Sequence, residues 1–234
     1  MKNWENILGV ISSFLLFVTI ILLLLNYKEG KYYFLAFAFY LVQIMFLNML
    51  SAKIINVSPG TRSVLGILNN LLDLPLMMIF LQYFVKDDKM KKIFWYIAGL
   101  YLLFDLILYF LMGWTITWLT TIIGPGLLIV TAISFYFFVD QLKTAILSRR
   151  ETGKAFLTGA IVFAYLCFTL IYIMFYLLKS KYISDIYAIY YITFIIFSLC
   201  LIIGIYLIMQ SRRKKTTDKM QLAKREDENS FQFL

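Results

Sequence analysis

The stretch ISSFLLFVTIILLLLNYKEG, residues 11–30, decides the fold. From Phe14 to Leu25 it carries no charge, and its only polar side chain is Thr19. With the residues just before it, the apolar run covers about 7–26, and about 20 mostly apolar residues is the length a helix needs to cross the hydrocarbon core of a bilayer. The run follows Lys2, as the core of a secretory signal would. No small-residue cleavage site closes it, and its length suits a retained span.

Six further runs of the same kind follow, at about 32–52, 64–85, 93–112, 115–139, 155–178 and 184–209. Of the 234 residues, 62% are hydrophobic and 15% charged, against about 25% charged in soluble domains. A soluble domain of this size has no way to cover so much apolar surface with a charged exterior. Continuous runs of this length also exclude a transmembrane barrel, whose strands are short and alternate. The expected fold class is therefore all-α: a polytopic membrane protein built as a bundle of seven transmembrane helices. The transmembrane domain is expected over residues 1–210 and a charged tail over 211–234.

Basic residues near helix ends favour the cytoplasmic side. With the N-terminus outside, the outer connections hold only Lys2, Lys53, Arg62, Lys179 and Lys181 of the 22 basic residues. The other 17 fall on the inner side, in KDDKMKK (86–92), KTAILSRRETGK (143–154), the tail, and at Lys28 and Lys31. The expectation is N-terminus out and C-terminus cytoplasmic, in the cytoplasmic membrane of a bacterium. The net charge of +9 then reflects topology, and nucleic acid is not an expected partner, since no basic stripe with interleaved aromatics lies outside these segments. Trp4, Trp114 and Trp118 suit the outer aromatic belt, and Trp95 the inner one.

The chain has no histidine, which removes histidine-ligated haem, histidine-containing zinc sites and histidine acid–base chemistry. No cofactor and no metal centre is expected. Cys167 and Cys200 fall mid-span, where small buried thiols pack, and no phosphate loop or nucleophile elbow is present.

Two carboxylates lie within spans, Asp73 and Asp105. Such residues cost about 2.5–3.5 kcal/mol on insertion scales and usually face the bundle interior. No basic residue shares their depth, so each needs a proton, a hydrogen bond or a bound cation. In NNLLDLP (69–75), Asn69 and Asn70 precede Asp73 by four and three residues and share its helix face. Pro75 removes a backbone donor one turn on and is expected to kink the helix. Tyr101, Asp105 and Tyr109 repeat at four-residue spacing, so two phenols flank the second carboxylate. Gln43 and the GPG at Gly124, Pro125 and Gly126, expected to kink or interrupt its helix, fall near the same level. Polar side chains and irregular backbone thus share one layer in the outer half, and at such depth irregular backbone lines a cavity or is buried by protein. Such groups also serve as interhelical glue, at about 0.6 kcal/mol per contact. The tyrosines of the last two spans (Tyr165, Tyr172, Tyr187, Tyr190, Tyr191) read as packing or interface residues.

In outline the chain is similar to small heptahelical proteins of bacterial membranes. It departs from the seven-helix sugar carriers, which show proline–glutamine repeats, and from microbial rhodopsins, because no lysine lies within a helix core. Its size and its aspartate pair resemble the alkenyl-ether lysolipid hydrolases, a resemblance that implies acid–base work by paired aspartates. The leading expectation is a non-enzymatic, sensor-like or ligand-binding membrane protein. Its expected partners are lipid, a small-molecule or cation ligand at the polar layer, and a protein at the cytoplasmic loops and tail. The alternatives are a proton- or cation-coupled carrier and an intramembrane lipid hydrolase.

Overall fold

The computed structural model describes residues 3–52, 54–113, 116–148, 151–178 and 183–231. Lys2, Lys53, Trp114, Arg149, Arg150, Lys179 and Lys181 lie outside the described residues. All regular structure among the described residues is helical: α1 (Asn3–Leu25), the single turn α2 (Tyr27–Gly30), α3 (Tyr32–Ser51), α4 (Pro59–Leu81), α5 (Asp88–Met112), α6 (Ile116–Ser148), α7 (Thr152–Tyr172) and α8 (Ile183–Phe231). Seven of these helices are long and apolar enough to cross a membrane. Such an architecture is compatible with a multi-pass membrane protein. A spanning helix satisfies its backbone internally, which is why these apolar runs have little alternative to helix.

Local capping sets several boundaries away from the apolar runs. α4 opens at Pro59, about a turn and a half before the run itself. Ser58 accepts a hydrogen bond from Thr61 N at 3.2 Å, and Pro59 takes a first-turn position, where its missing N–H costs nothing. Asp87 accepts from Lys89 N at 3.0 Å and opens α5 at Asp88, inside the basic cluster. α6 runs on past Val139 to Ser148. α8 carries its backbone helix through the charged segment to Phe231.

Helix neighbours define a ring. α1 packs on α3 and α8, α8 on α7, α7 on α6, α6 on α4, and α4 on α3. α5 lies against α4 and α6 and is the least buried of the seven. The α7–α8 contact is a small-residue crossing of the kind that lets membrane helices approach closely. A Cβ on Gly153 would lie 2.6 Å from the carbonyl oxygen of Gly204. α1 and α3 are tied by Asn48 Nδ2 donating to Ser12 Oγ at 3.2 Å. The outward face is apolar, with Phe110 and Leu147 more than 80% exposed; in a bilayer such residues meet acyl chains.

The prolines do not break their helices. Pro75 is buried within α4, and Pro125 is an exposed member of a continuous α6. The expected interruption at GPG is therefore corrected, and the role of the glycines lies elsewhere. Trp118 is corrected as well. It is buried, its ring packs 6.2 Å from that of Tyr109, and its Nε1 donates to the Asp105 carbonyl at 3.4 Å, so it is a core residue and not part of a belt.

Candidate functional site

The interior of the ring holds a cavity of about 230 Å³. Every spanning helix except α1 contributes to its wall: Tyr40 and Ile44 from α3, Asn69, Asn70 and Asp73 from α4, Tyr101 from α5, Ile123, Gly126 and Leu127 from α6, with Phe168, Ile171 and Tyr172 from α7, Tyr176 just beyond it, and Tyr190 and Phe194 from α8. These positions lie about one to four turns in from the helix ends that share one face of the bundle, at Ser51, Pro59, Met112, Ile116, Leu177 and Ile183. Asp73 lies 14 residues past Pro59, about 21 Å along α4. It is thus deeper than expected, near mid-bundle, because the helix starts earlier than its apolar run.

Asp73 is half-buried and held by a phenol. Tyr165 Oη donates to its Oδ1 at 2.9 Å, and Tyr40 Oη lies 3.4 Å from Tyr165 Oη. Tyr40 is also a hydrogen-bond partner of Asp73. Phenols from α3 and α7 thus converge on the carboxylate of α4. Both tyrosines are buried, Tyr165 completely. Neither ion pair among the described residues, Lys91–Asp88 and Lys154–Glu151, involves Asp73 or Asp105.

The glycines of GPG make room for two other phenols. Tyr101 Oη donates to the carbonyl of Ile122 at 2.9 Å and Tyr172 Oη to that of Thr120 at 2.9 Å. An added Cβ would lie 2.6 Å from Tyr101 Oη at Gly126 and 2.8 Å from Tyr172 Oη at Gly124. Pro125 has no N–H for the carbonyl one turn before it, and the two phenols dock on the carbonyls flanking that gap. This end of α7 passes into a π-helical turn, Ile173–Leu177, a local widening often found at functional sites.

On the other side of Asp73, packed phenylalanines fill the interior. Phe37 and Phe80 stack at 3.9 Å and 8°, and the contacts continue through Phe84 to Phe137 and Phe94. Phe197 meets Phe37 edge-on at 6.3 Å. All six rings are buried, and together they form an apolar plug between the cavity and the opposite face.

Of the residues expected in the polar layer, Asn69, Asn70, Asp73, Tyr101 and Gly126 line the cavity. Asp105 does not. It is fully buried, and neither carboxylate oxygen has a hydrogen-bond partner among the described residues. The expected flanking phenols do not reach it: Tyr101 bonds to Ile122, and Tyr109 is half-buried outside the lining. Gln43 likewise stays outside, with a buried, unpartnered Oε1. Tyr165, Tyr172 and Tyr190 of the last two spans pack in or against the core as expected, and each has a second role beside packing. Tyr165 is a direct partner of Asp73, and Tyr172 and Tyr190 line the cavity. Tyr40 carried no signal of its own, since one tyrosine in an aromatic-rich span is indistinguishable from its neighbours by spacing.

Fold and cavity together define a seven-helix protein of membrane-spanning dimensions with a single carboxylate set in an aromatic, one-sided pocket. Compared with known proteins, the chain matches no family model, no curated protein and no solved structure.

Proposed function

We propose that this protein is a sensor-like, ligand-binding component of a bacterial cytoplasmic membrane, and that its site is the cavity around Asp73, open to the outer face. The supporting observation is the carboxylate held by Tyr165 at the floor of a pocket whose other end is plugged by packed phenylalanines. The asymmetry of basic residues places the cavity end of the bundle outside and the C-terminus in the cytoplasm. α8 offers a route for output: it lines the cavity with Tyr190 and Phe194 and runs unbroken to Phe231, where a partner protein would read its position. A carboxylate with no cationic side chain as partner also favours a second reading, a proton- or cation-coupled carrier, for which the phenylalanine plug has to part. Uptake or efflux that is pH-dependent and lost in Asp73→Asn would establish it. The hydrolase reading needs two carboxylates on one substrate, and Asp105, outside the lining, gives it no support.

The test is thiol accessibility in intact cells, in a background with Cys167 and Cys200 replaced by alanine. Asn70→Cys and Tyr172→Cys react with a membrane-impermeant maleimide added outside, whereas Met77→Cys, fully buried one turn below Asp73, stays unlabelled. Labelling of Asn70→Cys only from the cytoplasmic side would overturn the outward-facing site. Equal labelling of Met77→Cys would shift the balance to the carrier.

A further inference from the structure

The chemistry of the cavity wall is narrower than "a ligand site". Among the described residues, one carboxylate, Asp73, lines it, and no lysine or arginine does. Around the carboxylate, beside Tyr40, stand six further aromatic rings, those of Tyr101, Phe168, Tyr172, Tyr176, Tyr190 and Phe194. Three of them form a cluster, with Tyr190 and Phe194 at 4.7 Å, Phe168 and Phe194 at 5.1 Å, and Phe168 and Tyr190 at 6.2 Å. Tyr172, just before the π-turn, and Tyr176, within it, pair at 5.6 Å. The hydroxyls of Tyr101 and Tyr172 are already spent on carbonyls of α6, so those two residues contribute mainly their rings.

Aromatic rings attract cations through their electron-rich faces, and cages of several rings are how quaternary ammonium groups are recognised. A carboxylate within the same cage adds charge complementarity. Small inorganic cations ask for a different wall, with several oxygens converging on one point. Here the described lining residues are mostly aromatic and aliphatic, with Asp73 their one carboxylate. An anionic ligand would meet Asp73 with no positive charge to offset it. A neutral apolar ligand would leave Asp73, Asn69 and Asn70 without use.

Size restricts the class further. The cavity, at about 230 Å³, is small. That volume is below the ~300–1,000 Å³ of sites for drug-sized ligands. On the reading of this cavity as a ligand site, we infer that its ligand is a compact organic ammonium ion, its cationic head caged by the aromatic rings and paired with Asp73. The same head group occurs on free amines and on choline lipids, and the wall recognises what the two share.

The protein is reconstituted in nanodiscs of phosphatidylglycerol and titrated calorimetrically with tetramethylammonium chloride and with choline chloride. Saturable binding is expected with Kd below about 1 mM, and sodium chloride at matched ionic strength gives none. The neutral isostere 3,3-dimethylbutan-1-ol, of the same shape as choline, binds at least about 30-fold more weakly, because the buried carboxylate then lacks its partner. Asp73→Asn and Phe168→Leu each weaken choline binding about tenfold or more, while Asp105→Asn, outside the cavity, leaves it unchanged. In discs of phosphatidylcholine, loss of free-choline binding identifies the lipid head group as the source, and unchanged binding identifies a free amine.

No saturable binding of either ammonium ion would overturn the inference, as would equal affinity for the neutral alcohol. The isostere comparison uses the wild-type chain, so it stands even if Asp73→Asn fails to fold. If external labelling of Asn70→Cys succeeds while ammonium binding fails, the ligand class is wrong and the outward site survives. If that labelling fails, the site reading itself falls.

Discussion

Replacing Gly126 by alanine tests whether the glycines of α6 exist to admit phenols. Tyr101 Oη donates to the Ile122 carbonyl at 2.9 Å, and a Cβ at position 126 would lie 2.6 Å from that oxygen and 3.2 Å from its ring carbon Cζ. The phenol must withdraw. It then loses a hydrogen bond worth about 0.5–1.5 kcal/mol net, and its ring is pushed into a packed wall at about 1–3 kcal/mol. Alanine returns about 0.5–1 kcal/mol of helix propensity. The balance is a destabilisation of roughly 1–3 kcal/mol, and at about 2–4 °C per kcal/mol for a chain of this size the apparent Tm falls by about 3–10 °C. The assay is thermal unfolding of the purified protein in detergent, followed by far-ultraviolet circular dichroism. Two companions make it specific. Gly66→Ala, whose added Cβ meets nothing within 4 Å, keeps or raises the Tm. In a Tyr101→Phe background, where the closest contact is gone, Gly126→Ala costs less than half as much. An equal loss in both backgrounds, or no loss in the first, would refute the reasoning.

Three other perturbations follow from the same geometry. Gly153→Ala should be harsher than Gly126→Ala, because its Cβ would press on backbone, 2.6 Å from Gly204 O and 2.9 Å from Ile208 N. Size-exclusion chromatography should show little monodisperse protein. Ser58→Ala removes the hydrogen bond to Thr61 N and lowers the Tm by about 2–4 °C, as expected for a cap worth about 1 kcal/mol. Tyr165→Phe removes a donor to Asp73, a bond to a carboxylate worth about 1.5–3 kcal/mol, and lowers the Tm more than Tyr40→Phe, which leaves that bond in place.

Part of the site was legible from spacing. Asn69, Asn70 and Asp73 face one cavity because positions three and four apart share a helix face wherever that helix is placed. Local signals misled where a residue has two uses. Behind Ser58, Pro59 is a first-turn residue, and α4 gains a start ahead of its apolar run, with Asp73 14 residues in. Gly124, Pro125 and Gly126 read as a break, yet α6 stays continuous, because its neighbours' phenols fill the space the glycines leave and bond to its carbonyls. Asp105 read as part of the same polar layer as Asp73, since its depth matched and two tyrosines flanked it, but its side chain is packed away from the cavity.

The sequence by itself determined that this chain makes seven helices of spanning length, since unbroken apolar runs leave the backbone no other way to satisfy its hydrogen bonds in lipid. It also determined which residues share a face along each helix, because that depends only on the 3.6-residue repeat. Only the tertiary structure decided that Tyr165, 92 positions further along the chain, meets Asp73, that Asp105 does not share its cavity, and that phenylalanines close the opposite side. Those outcomes depend on how each helix is rotated and which helix lies beside it. In lipid, where every outward face is equally apolar, rotation and neighbour are set by packing and by a few polar contacts between helices, which no single span encodes.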